Sequence, residues 1–111
     1  MRRYIFQTSL LIGLAALGTG CEIVRMEPGA AQVRVLQIGQ SVESCQRLGE
    51  LSVSIQDRVG PYQRNSVAVR DELETLARNE ALTLRADTIL PKAEPADGGQ
   101  RWLAYRCQGG R

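Results

Sequence analysis

The feature that most constrains this chain lies at its start. Met1-Arg-Arg-Tyr is a positively charged opening, and Ile5 to Leu17 is mostly apolar, diluted by Gln7, Thr8 and Ser9. The small residues Gly18-Thr19-Gly20 then lead directly to Cys21. A basic n-region, a short apolar h-region and small residues at a cleavage point define a secretory signal. The apolar run falls short of the roughly 20 residues that a membrane span needs. Residues 1–20 are therefore expected to be a signal peptide. About 90 residues are left to fold, which is enough for one small domain with a thin core.

The residue that follows the small cluster sharpens this reading. A cysteine at that place looks like the lipidation site of a bacterial lipoprotein signal, with Cys21 becoming the acylated N-terminus. Such signals usually have leucine three places before the cysteine. Here Gly18 holds that place and Leu17 lies one position further out. Ordinary cleavage near Gly20 and retention as an uncleaved anchor are the alternatives. Lipidation at Cys21 would put the domain in the bacterial envelope, facing the periplasm and attached to the membrane. Glu22, standing where an aspartate would favour inner-membrane retention, points to the outer membrane. Charge follows the same division. Arg2 and Arg3 belong to the signal, and the remaining basic residues balance the 12 acidic ones. A neutral mature chain lacks the electrostatic footprint of a nucleic-acid binder.

The chain has 3 cysteines, an odd count for an exported protein. Giving Cys21 to lipid leaves Cys45 and Cys107, and the oxidising periplasm favours joining them. The alternative is two separate buried thiols. A bridge would close a loop of about 60 residues, worth roughly 4 kcal/mol in chain-entropy terms. With no histidine in the chain, two thiolates are too few for structural zinc, which takes four ligands. No metal or other cofactor is implied.

Along the mature chain, residues 21–31 read as a lipidated N-terminus and tether, with Pro28, Gly29 and two alanines. The domain is expected over 32–111. Gln32 to Ile38 alternates and is rich in β-branched residues, which predicts a strand. Gly39 to Ser44 reads as a polar turn. Leu48 to Ile55 is a strand with Leu51, Val53 and Ile55 on its buried face. Gly60-Pro61 marks a turn within Gln56–Arg64. Asn65 is a plausible cap for an amphipathic helix from Ser66 to about Leu84, with Val69, Leu73, Leu76, Ala77 and Leu84 inward. Glu74 and Arg78 sit four apart in the favourable order. Asp87 to Pro91 is a short strand, Lys92 to Gln100 a loop, and Arg101 to Cys107 the last strand. If Cys107 points inward, Leu103 and Tyr105 are core, and Trp102 faces solvent or a partner. The expected fold is α+β: a β-β-α-β-β domain, one helix packed on a small sheet, with one disulfide.

Several short blocks also match a known pattern: Cys45-Gln-Arg-Leu-Gly-Glu-Leu, Leu76-Ala-Arg-Asn-Glu-Ala81, Ala86-Asp87-Thr-Ile and Ala104-Tyr-Arg-Cys107. In order and spacing the chain resembles the DUF4156 family of small bacterial lipoproteins, over roughly Val33 to Cys107. Arg85 stands where the family helix ends in glycine, and Asp87 replaces the family's asparagine. The pattern is also distantly similar to the Rcs-type stress-sensor lipoprotein. The resemblance implies an envelope location and a disulfide-stabilised α+β fold. It implies no defined activity.

No residues rise to a catalytic constellation. The usual general base, histidine, is lacking, and no serine-nucleophile motif appears. Glu72 and Glu74 are not on one helix face, and Asp97-Gly98-Gly99 is far from a calcium loop. Trp102 with Arg101 and Arg106 forms the candidate binding face, for an envelope protein or a glycan. Its bland counterpart is a partly covered tryptophan on the sheet's second face. The chain is thus expected to be a non-enzymatic interaction or sensor module. The alternative is a structural accessory near peptidoglycan without a dedicated protein partner.

Overall fold

The computed structural model describes residues 24–107. The expected signal peptide at 1–20, Cys21 and the last four residues lie outside that range.

The core is built on one helix, α1 (Ser66–Thr83). Asn65 caps it as the sequence predicts: its side-chain oxygen accepts from the backbone N–H groups of Val67 at 2.8 Å and Ala68 at 3.1 Å. Those donors would otherwise have no intrahelical partner. Val69, Leu73, Ala77 and Ala81 form the buried stripe, while Leu76 and Leu84 are only partly covered. The alanines let the helix lie close to the strands beneath it.

In chain order, the strands are β1 (Arg34–Val35), β2 (Gln46–Ser54), β3 (Arg58–Val59), β4 (Tyr62–Gln63), β5 (Thr88–Pro91) and β6 (Gly99–Arg106). Four of them make one sheet in the order β1-β5-β6-β2, and β3 and β4 form a separate small hairpin. β6 is central and antiparallel to both β2 and β5, and β1 runs parallel to β5. The α+β class and the β-β-α-β-β order of the main sheet are as expected. The hairpin around Gly60-Pro61 is an addition, because its two-residue strands are too short to show a period.

The first strand is much shorter than Gln32–Ile38. Ala30–Gln32 coils into a 3-10 turn, and only Arg34 and Val35 are paired as a strand, against Thr88 and Ile89. Part of the segment expected to be a tether packs against the domain: Ala30 is fully buried, and the backbone at Arg25 and Glu27 is hydrogen-bonded to Asn79 of α1. The last loop closes as a tight hairpin turn: Ala96 and Gly99 exchange backbone hydrogen bonds of 2.9 Å, with Asp97 and Gly98 both at positive φ. A Cβ at Gly98 would collide with the Ile55 carbonyl oxygen. An Asp-Gly pair is the usual solution for such a turn.

The helix end closes in a tight turn that has no glycine at its left-handed position. The Ala86 N–H donates to the Ala81 carbonyl and the Arg85 N–H to the Leu82 carbonyl, both at 3.0 Å. This is a Schellman closure with Arg85 in the left-handed region, φ 60°. The tight turn is therefore present, but a non-glycine residue carries its strain, which costs about 1–2 kcal/mol. Arg85→Gly is expected to stabilise the domain by about 0.5–1 kcal/mol after glycine's greater unfolded-state entropy is counted. A thermal melt should rise by a few degrees. A fall would show that the Arg85 side chain contributes more than its backbone strain removes.

Candidate functional site

The face assignment of β6 is the main correction. Leu51 pairs with Trp102 and Ile89 with Ala104, and these residues face α1 in one core cluster with Val53, Leu73 and Ala77. Trp102 is only 3% exposed. The strand alternates as its sequence predicts, but the helix packs on the face of Trp102 and Ala104 rather than on that of Leu103 and Tyr105. Cys107 follows β6 rather than fixing its inner face. Tyr105 is nonetheless buried on the second face, beside the fully buried Thr88 with which it pairs.

The candidate face of Trp102, Arg101 and Arg106 is therefore not one surface. Arg101 lies on the opposite side of the sheet from Trp102, where its Nε sits 3.5 Å from Glu50 Oε2. Lys92 Nζ meets the other oxygen of the same carboxylate at 3.3 Å. Arg106 turns to the helix end, where its Nη2 donates to the Arg85 carbonyl at 2.6 Å. The indole Nε1 of Trp102 is buried with no acceptor among the described residues. That orphan donor was invisible in the sequence.

The structure joins Cys45 to Cys107, which are 62 positions apart. Asp87 organises the corner beside this bridge. Its Oδ1 accepts from the Cys107 N–H at 2.8 Å and from the Thr88 hydroxyl at 2.9 Å. Its backbone N–H donates to the Tyr105 carbonyl, and its carbonyl accepts from the Arg34 N–H. One residue thus ties β1, β6 and the disulfide together. An asparagine would offer the same acceptor oxygen.

A second cluster lies midway along α1. Arg78 pairs with Glu74 at 3.0 Å, as the spacing predicted. It also donates to the carbonyls of Ala31 at 3.1 Å and Val33 at 2.7 Å. Its neighbour Asn79 accepts from the Glu27 N–H at 2.8 Å and donates to the Arg25 carbonyl at 2.9 Å. Arg78 and Asn79 therefore clamp the N-terminal segment onto the helix. The block Leu76-Ala-Arg-Asn-Glu-Ala81 contained both residues, but only the fold shows what they hold.

The remaining sequence candidates resolve into structural contacts. Glu72 accepts from Arg64 through both carboxylate oxygens, at 3.3 Å and 2.6 Å. Asp97 belongs to the tight turn. Among the described residues no three His, Cys, Asp or Glu side chains gather where a metal could be held. A cleft of about 370 Å³ opens between α1 and the stretch after β1, lined by Val35, Ile38, Arg70, Glu74, Pro91 and Trp102. Its charged groups are already paired, Arg70 with Glu94 at 2.9 Å and Glu74 with Arg78. No described helix is long and apolar enough to cross a membrane.

These features define a small α+β domain with its N-terminal segment clamped to the helix and its last strand bridged to the second. The chain matches the domain of unknown function DUF4156 over residues 24–107 and belongs to that family. The matched region begins with the clamped segment and ends at the bridged Cys107. Neither the curated proteins nor the solved structures yielded a match to the chain.

Proposed function

We propose that this chain is a lipid-anchored envelope lipoprotein whose domain serves as a non-enzymatic interaction or sensor module at the membrane surface. The observation that carries this reading is the position of the clamp. Arg25 is already fixed to Asn79, so a lipidated Cys21 would have only a few residues of free chain. Even fully extended, that stretch reaches about 14 Å. A domain on such a leash works against the bilayer and on partners at its surface. The same leash speaks against a reach to peptidoglycan beyond it.

The test uses the full chain in a bacterial host. The intact mass of membrane-extracted protein should show an acylated Cys21 after loss of residues 1–20. Cys21→Ser should shift the chain from the membrane to the soluble fraction. A free, unmodified Cys21, or a serine variant that stays on the membrane, would overturn the anchor. Lengthening the chain between Cys21 and Arg25 with a flexible insert should weaken any surface contact, in keeping with a larger search volume. Unchanged contact at every insert length would count against a role confined to the surface.

A further inference from the structure

The two edges of the sheet are unlike. β1 pairs through only two residues, Arg34 and Val35, so it offers little to a foreign strand. β2 is the opposite edge and runs for 9 residues, Gln46–Ser54, with β6 as its one neighbour among the described residues. It contains no proline and no lysine, two of the devices that commonly protect an exposed edge.

The ladder tells which groups are open. The Ile55 N–H donates to the Gly98 carbonyl at 2.8 Å, and Val53 and Leu51 follow in the same register against Gln100 and Trp102. Antiparallel bonding alternates, so the backbone groups of Glu50, Ser52 and Ser54 point away from β6. We infer that this edge pairs with the same edge of a second copy, antiparallel and centred on Ser52, to make a continuous sheet across a two-fold axis.

Self-pairing is favoured over an unrelated strand by three observations. First, this register sets Ser52 against Ser52 and Glu50 against Ser54, using every open group of the regular stretch in about six backbone hydrogen bonds. It keeps the two Glu50 carboxylates apart, and each is already compensated by Lys92 and Arg101 of its own copy. Centring on Glu50 would oppose like charges directly, which is destabilising. Second, a two-fold axis normal to the sheet leaves both α1 helices on one side. Arg25 and Glu27 are bonded to Asn79 of α1, so both N-terminal segments lie on that side, as two anchors in one bilayer would require. Third, an exposed apolar cross-strand pair, Val59 (57%) and Tyr62 (73%), follows just beyond the end of β2. Antiparallel pairing brings the start of the second copy's β2 to this end.

The pairing itself does not depend on the anchor, so it can fail or hold independently of the proposed function. The full chain, extracted in detergent, should sediment as a dimer, and so should the Cys21→Ser chain. Ser52→Cys places two thiols across a hydrogen-bonded pair whose Cα atoms lie about 5.5 Å apart, a separation that a disulfide spans. It should give a cross-linked dimer on a non-reducing gel, whereas Ser54→Cys should not. Ser52→Pro removes an outward N–H while sparing the β2–β6 ladder, and should yield a folded monomer. A monomeric parent chain, equal cross-linking from positions 52 and 54, or a Ser52→Cys adduct with a different protein would overturn the proposal. If Ser52→Pro does not fold, the cross-linking pair still decides.

Discussion

Trp102→Ala is expected to cost the domain about 3–5 kcal/mol, the range for removing a large aromatic from a core. Small domains have only about 5–15 kcal/mol in total, so a large share of the molecules would unfold at growth temperature. The melting temperature should fall by about 15 °C or more. The reason is position: Trp102 fills the space between Leu51 on one neighbouring strand and Pro91 on the other, beneath α1. Trp102→Phe is the informative companion. It keeps most of the ring and removes an indole N–H that has no acceptor among the described residues, so the cavity loss and the relief of an unsatisfied donor oppose each other. A loss well below half that of the alanine variant is expected. If Trp102→Ala instead melted with the parent and lost only a binding partner, the residue would be acting at a surface, and the packing described above would be wrong.

Replacing Cys45 and Cys107 together by serine is expected to cost a similar amount, about 4 kcal/mol for a closed loop of this length. The effect arises mainly in the unfolded chain, which regains the freedom that the bridge denies it. Urea titration should therefore show a lower midpoint, by at least about 1 M, together with a steeper dependence on urea as the unfolded state expands. Reducing agent on the parent chain should reproduce the double-serine curve. Coincident curves for the oxidised parent and the double-serine variant would mean that the bridge adds nothing. The serine variant retains Asp87, whose Oδ1 still accepts from the backbone N–H of residue 107. Asp87→Ala in the oxidised chain therefore separates the contribution of the acceptor from that of the covalent link.

The sequence was legible where periodicity was long and chemistry local. The eighteen-residue helix announced itself through Val69, Leu73 and Ala77 and through the Asn65 cap, and Leu51 and Val53 alternated over enough residues to show their buried face. Two-residue strands carry no period, so β1, β3 and β4 could not be bounded from composition alone. The face of Trp102 failed for a different reason. Alternation shows that Trp102 and Tyr105 lie on opposite faces but not which face meets the helix, and both turn out to be buried. Arg85 was misleading in another sense, since the backbone adopts the glycine-like turn despite the side chain. The clamp of Arg78 and Asn79 joins positions about 50 apart in the chain, and no local signal encodes which backbone groups they will meet.

The bridge also determines how the molecule would bear a load. A pull arriving through the N-terminus first meets the side chains of Arg78 and Asn79 and the short β1 ladder. If those yield, the slack released ends at Cys45. Everything from Cys45 to Cys107, including α1 and the two central strands, lies inside a covalently closed ring. The chain can thus lengthen by only about 20 residues, roughly 3.3–3.6 Å for each, before tension passes through the bridge to Cys107 and bypasses the helix and the strands between. Single-molecule stretching from the N-terminus against a grip at the end of β6 should show one short step, with a second, longer one only after reduction.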